Sequence, residues 1–273
     1  MPELPEVEVL RRSLEPLLRG RTIRRVEVRE RRLRERVPRG FEAAAAGRRI
    51  EGLRRRAKYL LIDLSGGATL VIHLGMSGRL TVVGEQVERE PHEHLAFYLS
   101  GRTRLRLRDP RRFGLALLVP TALLERDRHF AALGVEPLAD EFSGELLARV
   151  AHRRRGPVKN FLMDQRIVVG VGNIYATEAL HRCEIRPTRS VARLSRERFE
   201  RLAAAVREVL EQAIGEGGTT LNDFTDGRGE AGYFQVELAV YGRPGEPCPR
   251  CGGTIRRIVQ AGRSSFYCPD CQR

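Results

Sequence analysis

Apolar residues recur at two different spacings along this chain of 273 residues, and the spacing changes near residue 134. Before that point, short apolar runs are separated by glycine and proline, which is typical of the strands of a β-sandwich or barrel. A helix is predicted ahead of them over 5–18, because apolar residues there recur every three or four positions and Gly20 follows. We predict strands at 22–29, 57–64, 68–74, 79–83, 94–99, 103–108 and 113–119.

After residue 134 the apolar spacing becomes helical. The glycine-rich stretch 215–233 has no periodicity and is predicted to form a long loop. A loop of this length is usually either functional or disordered, and the pattern alone leaves both open. Helices are predicted over 143–154, 157–165, 173–183 and 196–214, with Ser195 as the N-cap of the last.

The chain is strongly basic, with 49 lysine and arginine residues against 35 acidic ones and a formal net charge of +14. An excess of this size favours a polyanionic partner, chiefly nucleic acid, although a solvated surface in an arginine-rich proteome would give the same balance. Only Lys58 and Lys159 are lysines. Lysine differs from arginine in that it can lose its proton, so both positions are candidates for chemistry.

We expect a cytoplasmic protein that does not enter a membrane. The longest stretch without Asp, Glu, Lys, Arg or His, 113–124, has 12 residues, whereas a bilayer span needs about 20. The N-terminus carries glutamates at positions 3, 6 and 8 and lacks the apolar segment of a secretory signal.

Four of the five cysteines form two pairs near the C-terminus, Cys248-x2-Cys251 and Cys268-x2-Cys271, with 16 residues between the pairs. This spacing fits a tetrahedral four-thiolate site in a hairpin and predicts one structural Zn²⁺. A segment this short cannot form a core by itself, so the metal would supply its folding energy. Disulfides or free thiols are the alternative. The fifth cysteine, Cys183, is expected to be a small buried hydrophobe.

The chain begins MPELPE. If Met1 is removed, Pro2 becomes a secondary α-amine, which titrates near about 8 and is partly unprotonated at neutral pH. Such an amine can attack an aldehyde-level carbon such as a sugar C1′ and form an iminium, and Glu3 beside it could shuttle protons. Prolines near a chain start also simply begin helices, so a structural role is the alternative.

Seven motifs occur together and in order: MPELPEVE at the start, AKYLL around Lys58, HLGMSG at 73–78, DPRRFG at 109–114, VVGVGNIYATEAL at 168–180, GGTTL at 217–221 and the terminal cysteine pairs. Over essentially the whole chain they resemble the formamidopyrimidine-DNA glycosylase family, bacterial repair enzymes for oxidised purines. The resemblance implies an α+β multidomain fold. Its expected parts are an N-terminal catalytic β-sandwich flanked by helices over 1–133, a helix–two-turn–helix domain over 134–236, and a zinc-finger hairpin over 237–273.

The resemblance also implies an activity and roles for residues. The activity is that of a monomeric bifunctional glycosylase and AP lyase, which removes oxidised purines from double-stranded DNA and cuts the strand by β,δ-elimination, with zinc as its only cofactor. Pro2 would be the nucleophile and Glu3 the proton shuttle, while Lys58 would assist β-elimination and Arg263 δ-elimination. Where the family usually has lysines before residue 159, this chain reads RRR at 153–155. The residues implied to contact DNA are Met76, His92, Arg111, Phe113, Arg154, Lys159 and Asn173.

A glycosylase must extrude a nucleotide from the duplex to reach C1′, and the gap must then be filled. The resemblance gives this task to Met76, Arg111 and Phe113, which suit it as an apolar wedge, a hydrogen-bond donor and a stacking ring. Taken alone, Met76 and Phe113 could be core residues, and His92 a surface imidazole. The expected base-recognition element is the loop 215–233, which supplies Thr219, Thr220 and Thr225.

Three other classes of protein share part of this pattern. An endonuclease VIII-type paralogue, which acts on oxidised pyrimidines, would typically carry glycine in place of Leu4 and lack the arginine–phenylalanine plug. A non-catalytic DNA-binding protein with the same fold would be expected to lose Pro2, Glu3 or Lys58. A zinc-ribbon module of a ribosomal or transcription assembly would leave the N-terminal motif without a role. We therefore favour the oxidised-purine enzyme, with the endonuclease VIII type as the alternative.

Overall fold

The computed structural model describes residues 2–219, 227 and 238–273. The chain divides into two compact units, of which one comprises Met1–Ala131 and Glu216–Tyr233 and the other Ala132–Gly215 and Phe234–Arg273. None of the helices in the described ranges combines the length and the apolar character needed to cross a bilayer.

The described part of the N-terminal unit is an antiparallel β-structure with helices at its edges. Its helices are α1 (Leu4–Leu18) and α2 (Phe41–Ala45), and a 3₁₀ turn follows at Thr121–Arg126. Its strands are β1 (Ile23–Val28), β2 (Ile50–Arg56), β3 (Tyr59–Leu64), β4 (Ala68–His73), β5 (Arg79–Gly84), β6 (Glu93–Leu99), β7 (Thr103–Arg108) and β8 (Leu115–Pro120). They form two four-stranded sheets, with the orders β1-β6-β7-β5 and β2-β3-β4-β8.

One apolar core joins the two sheets and both helices, so the sheets form a sandwich. Leu10, Leu14 and Leu18 of α1 are fully buried in it, together with Ile72 of β4 and Leu107 of β7. The three leucines share one face because they are four residues apart. Helix α1 is therefore fixed on the sandwich, and the residues just before it are fixed with it.

Every strand predicted from the sequence is present, with bounds within two residues of those expected. Strand β2 and helix α2 were not predicted. Strand β2 reads IEGLRRR and buries mainly Ile50 and Leu53. Among the described strands it lies at the edge of its sheet, where it pairs with β3. Its exposed face is charged, so the sequence shows no apolar run there.

The described part of the second unit is mainly helical, with α3 (Gly144–Ala151), α4 (Val158–Leu162), α5 (Asn173–Arg182) and α6 (Arg196–Gly215). All four predicted helices are thus present, although α3 and α4 are shorter than expected. Ser195 caps α6 as predicted, because its hydroxyl accepts the Arg198 N–H at 3.3 Å. Helix α6 packs against α3 and α5.

The C-terminus of the second unit is a small hairpin. Strands β9 (Arg256–Gln260) and β10 (Arg263–Tyr267) pair antiparallel around the turn at Ala261 and Gly262, which both have positive φ, 46° and 73°. The hairpin has a small apolar cluster of its own, made of Val240, Cys248, Ile255, Phe266 and Cys268.

A buried carboxylate fastens the segment before this hairpin to α5. Glu178 is 6% exposed. Its Oε2 accepts the N–H of Ala239 at 2.8 Å, and its Oε1 accepts those of Val240 and Tyr241 at 3.1 and 2.8 Å. Burial raises the pKa of Glu178, and the three N–H donors work against this by stabilising the charged form.

Replacement of Glu178 by alanine is expected to lower the free energy of unfolding by about 2–4 kcal/mol, because three backbone N–H groups lose their acceptor. Glu178→Gln keeps one acceptor oxygen and should cost less. Urea denaturation followed by circular dichroism gives both values, and Glu211→Ala, at an exposed position of α6, is the control. A midpoint for Glu178→Ala equal to that of the unchanged protein would contradict the anchoring role.

Candidate functional site

The start of the chain is held by two buried carboxylates. Pro2 is half-buried and precedes Glu3, the N-cap residue of α1. Glu3 and Glu6 are 3% and 2% exposed. The Glu3 N–H donates to Oε2 of Glu6 at 2.7 Å, as in a capping box. Pro2 is thereby held at the first turn of α1.

The other carboxylate oxygen of Glu6 binds the segment that follows α6. Its Oε1 accepts the N–H of Thr219 at 2.9 Å. Gly227, further along the predicted base-recognition loop, donates its N–H to Oγ of Ser13 at 2.9 Å. Thr219 and Gly227 thus both attach to α1. The other threonines named from the sequence, Thr220 and Thr225, lie outside the described residues.

Lys58 occupies the tight turn between β2 and β3 and is 8% exposed. The preceding Ala57 has a positive φ of 53°, which is unusual for a residue with a side chain. Arg55 donates to the carbonyl of Ala57 at 3.0 Å and lies 3.4 Å from the carboxylate of Glu8. The turn that carries Lys58 is therefore tied to α1, the helix that begins beside Pro2.

His73, at the end of β4, is a neutral neighbour of Lys58. Burial, together with the charges of Arg34 and Lys58, lowers the pKa of His73 to about 4. The ring accepts the Gly75 N–H at Nδ1 over 2.9 Å. His73 thus orients the start of the following loop without adding a charge that would repel Lys58.

Two loops that carry the predicted plug residues lie against each other. Met76 and Phe113 are 43% and 44% exposed, so neither is a core residue. The Arg111 guanidinium lies 4.8 Å from the centroid of the Phe113 ring. Gly75 permits the approach of the loops, because its φ is +65° and a Cβ there would lie 2.4 Å from the Phe113 carbonyl carbon.

A single buried carboxylate, that of Asp109, joins these loops. Asp109 is fully buried, and its Oδ1 accepts the hydroxyl of Ser77 at 2.7 Å. Its Oδ2 accepts the N–H of Gly114, also at 2.7 Å. The hydroxyl oxygen of Ser77 in turn accepts the N–H of Arg111 at 3.2 Å. The positions of the plug residues therefore depend on Asp109.

The backbone of Asp109 brings in a third loop, which carries the exposed His92. The Asp109 N–H donates to the carbonyl of His92 at 3.0 Å, and the Asp109 carbonyl lies 2.8 Å from Nε2 of His94. Sequence reasoning quoted the DPRRFG motif but gave Asp109 no role, since its partners come from three separate loops. The one signal was a carboxylate at the head of a motif that otherwise supplies plug residues.

In the second unit, two predicted DNA-contact residues donate to one carbonyl, which lies next to the predicted catalytic Arg263 in the chain. Lys159 is 1% exposed, and its Nζ donates to the carbonyl of Ser264 at 3.1 Å and to Oγ of Ser265 at 2.6 Å. Nδ2 of Asn173 donates to the same Ser264 carbonyl at 3.0 Å. Arg263 immediately precedes this residue and is exposed. Lys159 and Asn173 therefore fix the backbone beside Arg263.

Arg154 lies on the surface of the same unit, with 44% of its side chain exposed, 3.3 Å from the Asp164 carboxylate. A hydrogen bond from Arg166, opposed by burial and assisted by Arg154, holds the pKa of Asp164 below its usual value. Because the pair is exposed, it adds little to stability, and the guanidinium of Arg154 is accessible from solvent.

The four paired cysteines form one compact sulfur cluster. Their Sγ atoms all lie within 4.8 Å of one another, with 3.8 Å between Cys248 and Cys271 and 3.5 Å between Cys251 and Cys268. Four sulfurs placed about 2.3 Å from a central Zn²⁺ are about 3.8 Å apart, so the cluster fits one structural Zn²⁺. The separations are too long for disulfides, in which the sulfurs are about 2.05 Å apart. Cys183 takes no part, and burial raises its pKa to about 12.

Three family models match the chain in order. Residues 1–116 match the formamidopyrimidine-DNA glycosylase N-terminal domain, residues 133–225 the H2TH domain of the same family, and residues 245–273 a zinc finger found in FPG and IleRS. Fold and site together thus define the class of DNA glycosylases that carry a zinc finger.

Comparison with individual relatives identifies the family within this class. The formamidopyrimidine-DNA glycosylase of Halorhodospira halophila is 54% identical over the full length of both chains. The structure of MutM (FPG) from Thermus thermophilus is 44% identical, with a TM-score of 0.88 over 99% of this chain and 98% of that one. FPG (MutM) of Lactococcus lactis, in complex with Fapy-dG-containing DNA, is 33% identical, with a TM-score of 0.91 over 99% and 100%. The chain belongs to the formamidopyrimidine-DNA glycosylase family.

Removal of the Asp109 carboxylate is expected to loosen the loops that carry Met76 and Phe113. In Asp109→Ala, the buried Gly114 N–H and the Ser77 hydroxyl lose their acceptor, which should cost about 2–4 kcal/mol of unfolding free energy. Hydrogen exchange at the Gly114 amide should accelerate more than exchange in the centre of β4, because the loops open before the sandwich does.

Asp140→Ala is the matched control, since Asp140 is exposed and lies in the other unit. Unchanged exchange at Gly114 in Asp109→Ala would mean that the loops are held by other contacts.

Proposed function

We propose that this protein is a bifunctional DNA glycosylase and AP lyase that removes oxidised purines, such as 8-oxoguanine and formamidopyrimidines, from double-stranded DNA in base excision repair. The observation that carries the proposal is the arrangement at the chain start, where Pro2 precedes the buried Glu3 and Glu6 at the first turn of α1. Membership of the family over the whole chain supports the same activity.

In the proposed reaction, the amine of Pro2 is the nucleophile. Once Met1 has been removed, the amine attacks C1′ of the damaged nucleotide, the bond from C1′ to the base breaks, and the base leaves with a proton. The C1′–O4′ bond then opens, and the ring oxygen takes up a proton. The resulting iminium acidifies the C2′ hydrogen, and loss of that hydrogen expels the 3′ phosphate. A second elimination expels the 5′ phosphate.

Three further residues serve these proton transfers and eliminations. Glu3 exchanges protons with the sugar, and its burial keeps the carboxylate close to the chain start. Lys58 assists the β-elimination, and its turn is tied to α1 through Arg55 and Glu8. Arg263 serves the δ-elimination, on a backbone that Lys159 holds in place.

Met76, Arg111 and Phe113 are proposed to fill the space left by the extruded nucleotide. Their exposure supports this role, since a wedge must reach the base stack from the protein surface. The guanidinium of Arg111 lies over the ring of Phe113, so the two are preassembled as one unit. His92 is proposed to contact DNA from the adjoining loop, since Asp109 holds its backbone beside them.

In the second unit, Lys159, Asn173 and Arg154 are proposed to bind backbone phosphates. Lys159 and Asn173 both donate to the Ser264 carbonyl, so a bound phosphate would accept from the same N–H groups as this carbonyl of the finger. Arg154 is exposed and suits a phosphate directly. The loop 215–233 is proposed to recognise the base, because its described residue Thr219 is bonded to Glu6 beside the chain start.

The proposed substrate is an oxidised purine rather than an oxidised pyrimidine. The family match and the intact plug motif favour the purine branch over the endonuclease VIII type. We propose that the enzyme acts as a monomer in the bacterial cytoplasm, where the chromosome is accessible; its relatives are bacterial. The three proposed functional parts are 1–133, 134–236 and 237–273.

Borohydride should trap a covalent protein–DNA adduct on duplex DNA that contains 8-oxoguanine, because it reduces the iminium at Pro2. A protein acetylated only at its N-terminus should still bind the duplex but give neither adduct nor strand cleavage. Pro16→Ala, at an exposed proline of α1, is the control and should give the normal adduct. Efficient trapping by the acetylated protein would refute the role of Pro2, and faster cleavage of an oxidised-pyrimidine duplex would favour the endonuclease VIII alternative.

Lys58→Arg should lower the single-turnover rate of base excision or strand cleavage by about 10²-fold, because arginine keeps the charge but cannot exchange a proton. Binding of the lesion duplex should change little. Arg54→Lys, on the exposed side of the same hairpin, makes the opposite exchange and should keep full activity. Equal rates for Lys58→Arg and the unchanged enzyme would show that Lys58 acts only through its charge.

A further inference from the structure

The sulfur cluster has a buried half and an exposed half. Cys248 and Cys268, the first cysteine of each pair, are 2% and 0% exposed, whereas Cys251 is exposed and Cys271 half-buried. Groups of the protein that bond to the buried half therefore act without competition from solvent. The side chains beside Cys248 and Cys268 thus decide how firmly the cluster is held.

His181 lies beside the buried half. It belongs to the last turn of α5 and is 4% exposed. Its Nε2 lies 3.3 Å from Sγ of Cys248, within hydrogen-bond distance for sulfur. Among the described residues, the group able to hold a metal consists of the four cysteines and does not include this ring. His181 is thus next to the sulfur cage but outside it.

The second cysteine pair has a comparable contact, made by Gln272. The Oε1 of Gln272 accepts the N–H of Cys268 at 2.9 Å, and its Nε2 donates to the carbonyl of Ile185 at 2.9 Å. Gln272 is 1% exposed. Each buried cysteine is therefore linked by one side chain to α5 or to the residues just after it. Of the two links, the one through His181 reaches the sulfur itself.

The charge of the centre makes such a donor useful. Four thiolates around Zn²⁺ leave a net charge of −2, and an N–H group directed at a buried thiolate stabilises that charge. The cavity beside His181 is lined by charged groups of both signs, among them Arg182, Arg250 and the buried Glu178. Side chains that bond to metal ligands in this way usually tune metal affinity.

We propose that His181 is an outer-shell residue of the zinc centre, whose Nε2–H donates to the Cys248 thiolate and slows the release of the metal. Through this bond the far end of α5 holds the metal centre, while its first residue, Asn173, holds the hairpin backbone at Ser264. The assignment is separate from the proposed catalytic roles, because it concerns metal retention and not turnover.

The first test is zinc release from the full-length holoprotein to a chromogenic chelator. His181→Phe keeps a ring of similar size but removes the donor, and it should weaken zinc binding by about 10- to 100-fold and speed release accordingly. His181→Gln carries an amide donor of similar reach and should restore most of the retention. His152→Phe, the same change at an exposed histidine of the same unit, should release zinc as the unchanged protein does. Equal release by His181→Phe and the unchanged protein would overturn the proposal.

The second test needs no variant, so it also decides the matter if His181→Phe fails to fold. In the ¹¹³Cd-substituted protein, a hydrogen bond from Nε2–H to the Cys248 sulfur should give a scalar coupling between the His181 ring proton and the metal. A protected His181 ring proton without coupling to ¹¹³Cd would mean that the ring only packs against the sulfur, and the proposal would be wrong.

Discussion

A buried carboxylate is stable only if hydrogen-bond donors meet it, and this constraint orders the irregular parts of the molecule. Glu6, Asp109 and Glu178 are almost inaccessible to solvent, and each accepts backbone N–H groups from segments outside regular structure. Helices and strands satisfy their own backbone groups, whereas loops and chain ends do not. Glu6 and Asp109 therefore hold segments that carry proposed functional residues, and Glu178 holds the segment before the finger hairpin.

This arrangement matters most at the chain start, since a terminal amine is normally among the least ordered groups of a protein. A nucleophile must be held near its target, because every freely rotating bond lowers the fraction of productive encounters. One oxygen of Glu6 binds the N–H of Glu3, and the other binds that of Thr219. Glu3 and the proposed base-recognition loop thus donate to the same carboxylate, that of Glu6. Each of these two hydrogen bonds fixes the position of Glu6 for the other.

A structural feature of this protein can be predicted from the sequence when the residues that indicate it lie close together in the chain. Strands with apolar faces and the Cys-x2-Cys pairs were predicted because their pattern lies within a few residues. Strand β2 was missed because it has only two buried apolar residues and ends in three consecutive arginines. Asp109 and Glu178 were missed for a different reason: each binds backbone N–H groups of separate segments, which leave no residue type to recognise. Lys159 and Asn173 were predicted as functional residues. Their contact with Ser264 was not predicted, because it joins residues about a hundred positions apart.

The two lysines of this arginine-rich chain are retained for different physical reasons. Lys159 is 1% exposed and directs its ammonium group at the Ser264 carbonyl and the Ser265 hydroxyl. A guanidinium is planar and larger than an ammonium group, so arginine at this buried position would need the surrounding groups to move. Lys58 sits in a tight turn and lies close enough to His73 to depress its pKa. Lys58 is itself buried in this turn, and its proposed role in β-elimination adds a requirement for a removable proton, which arginine does not meet.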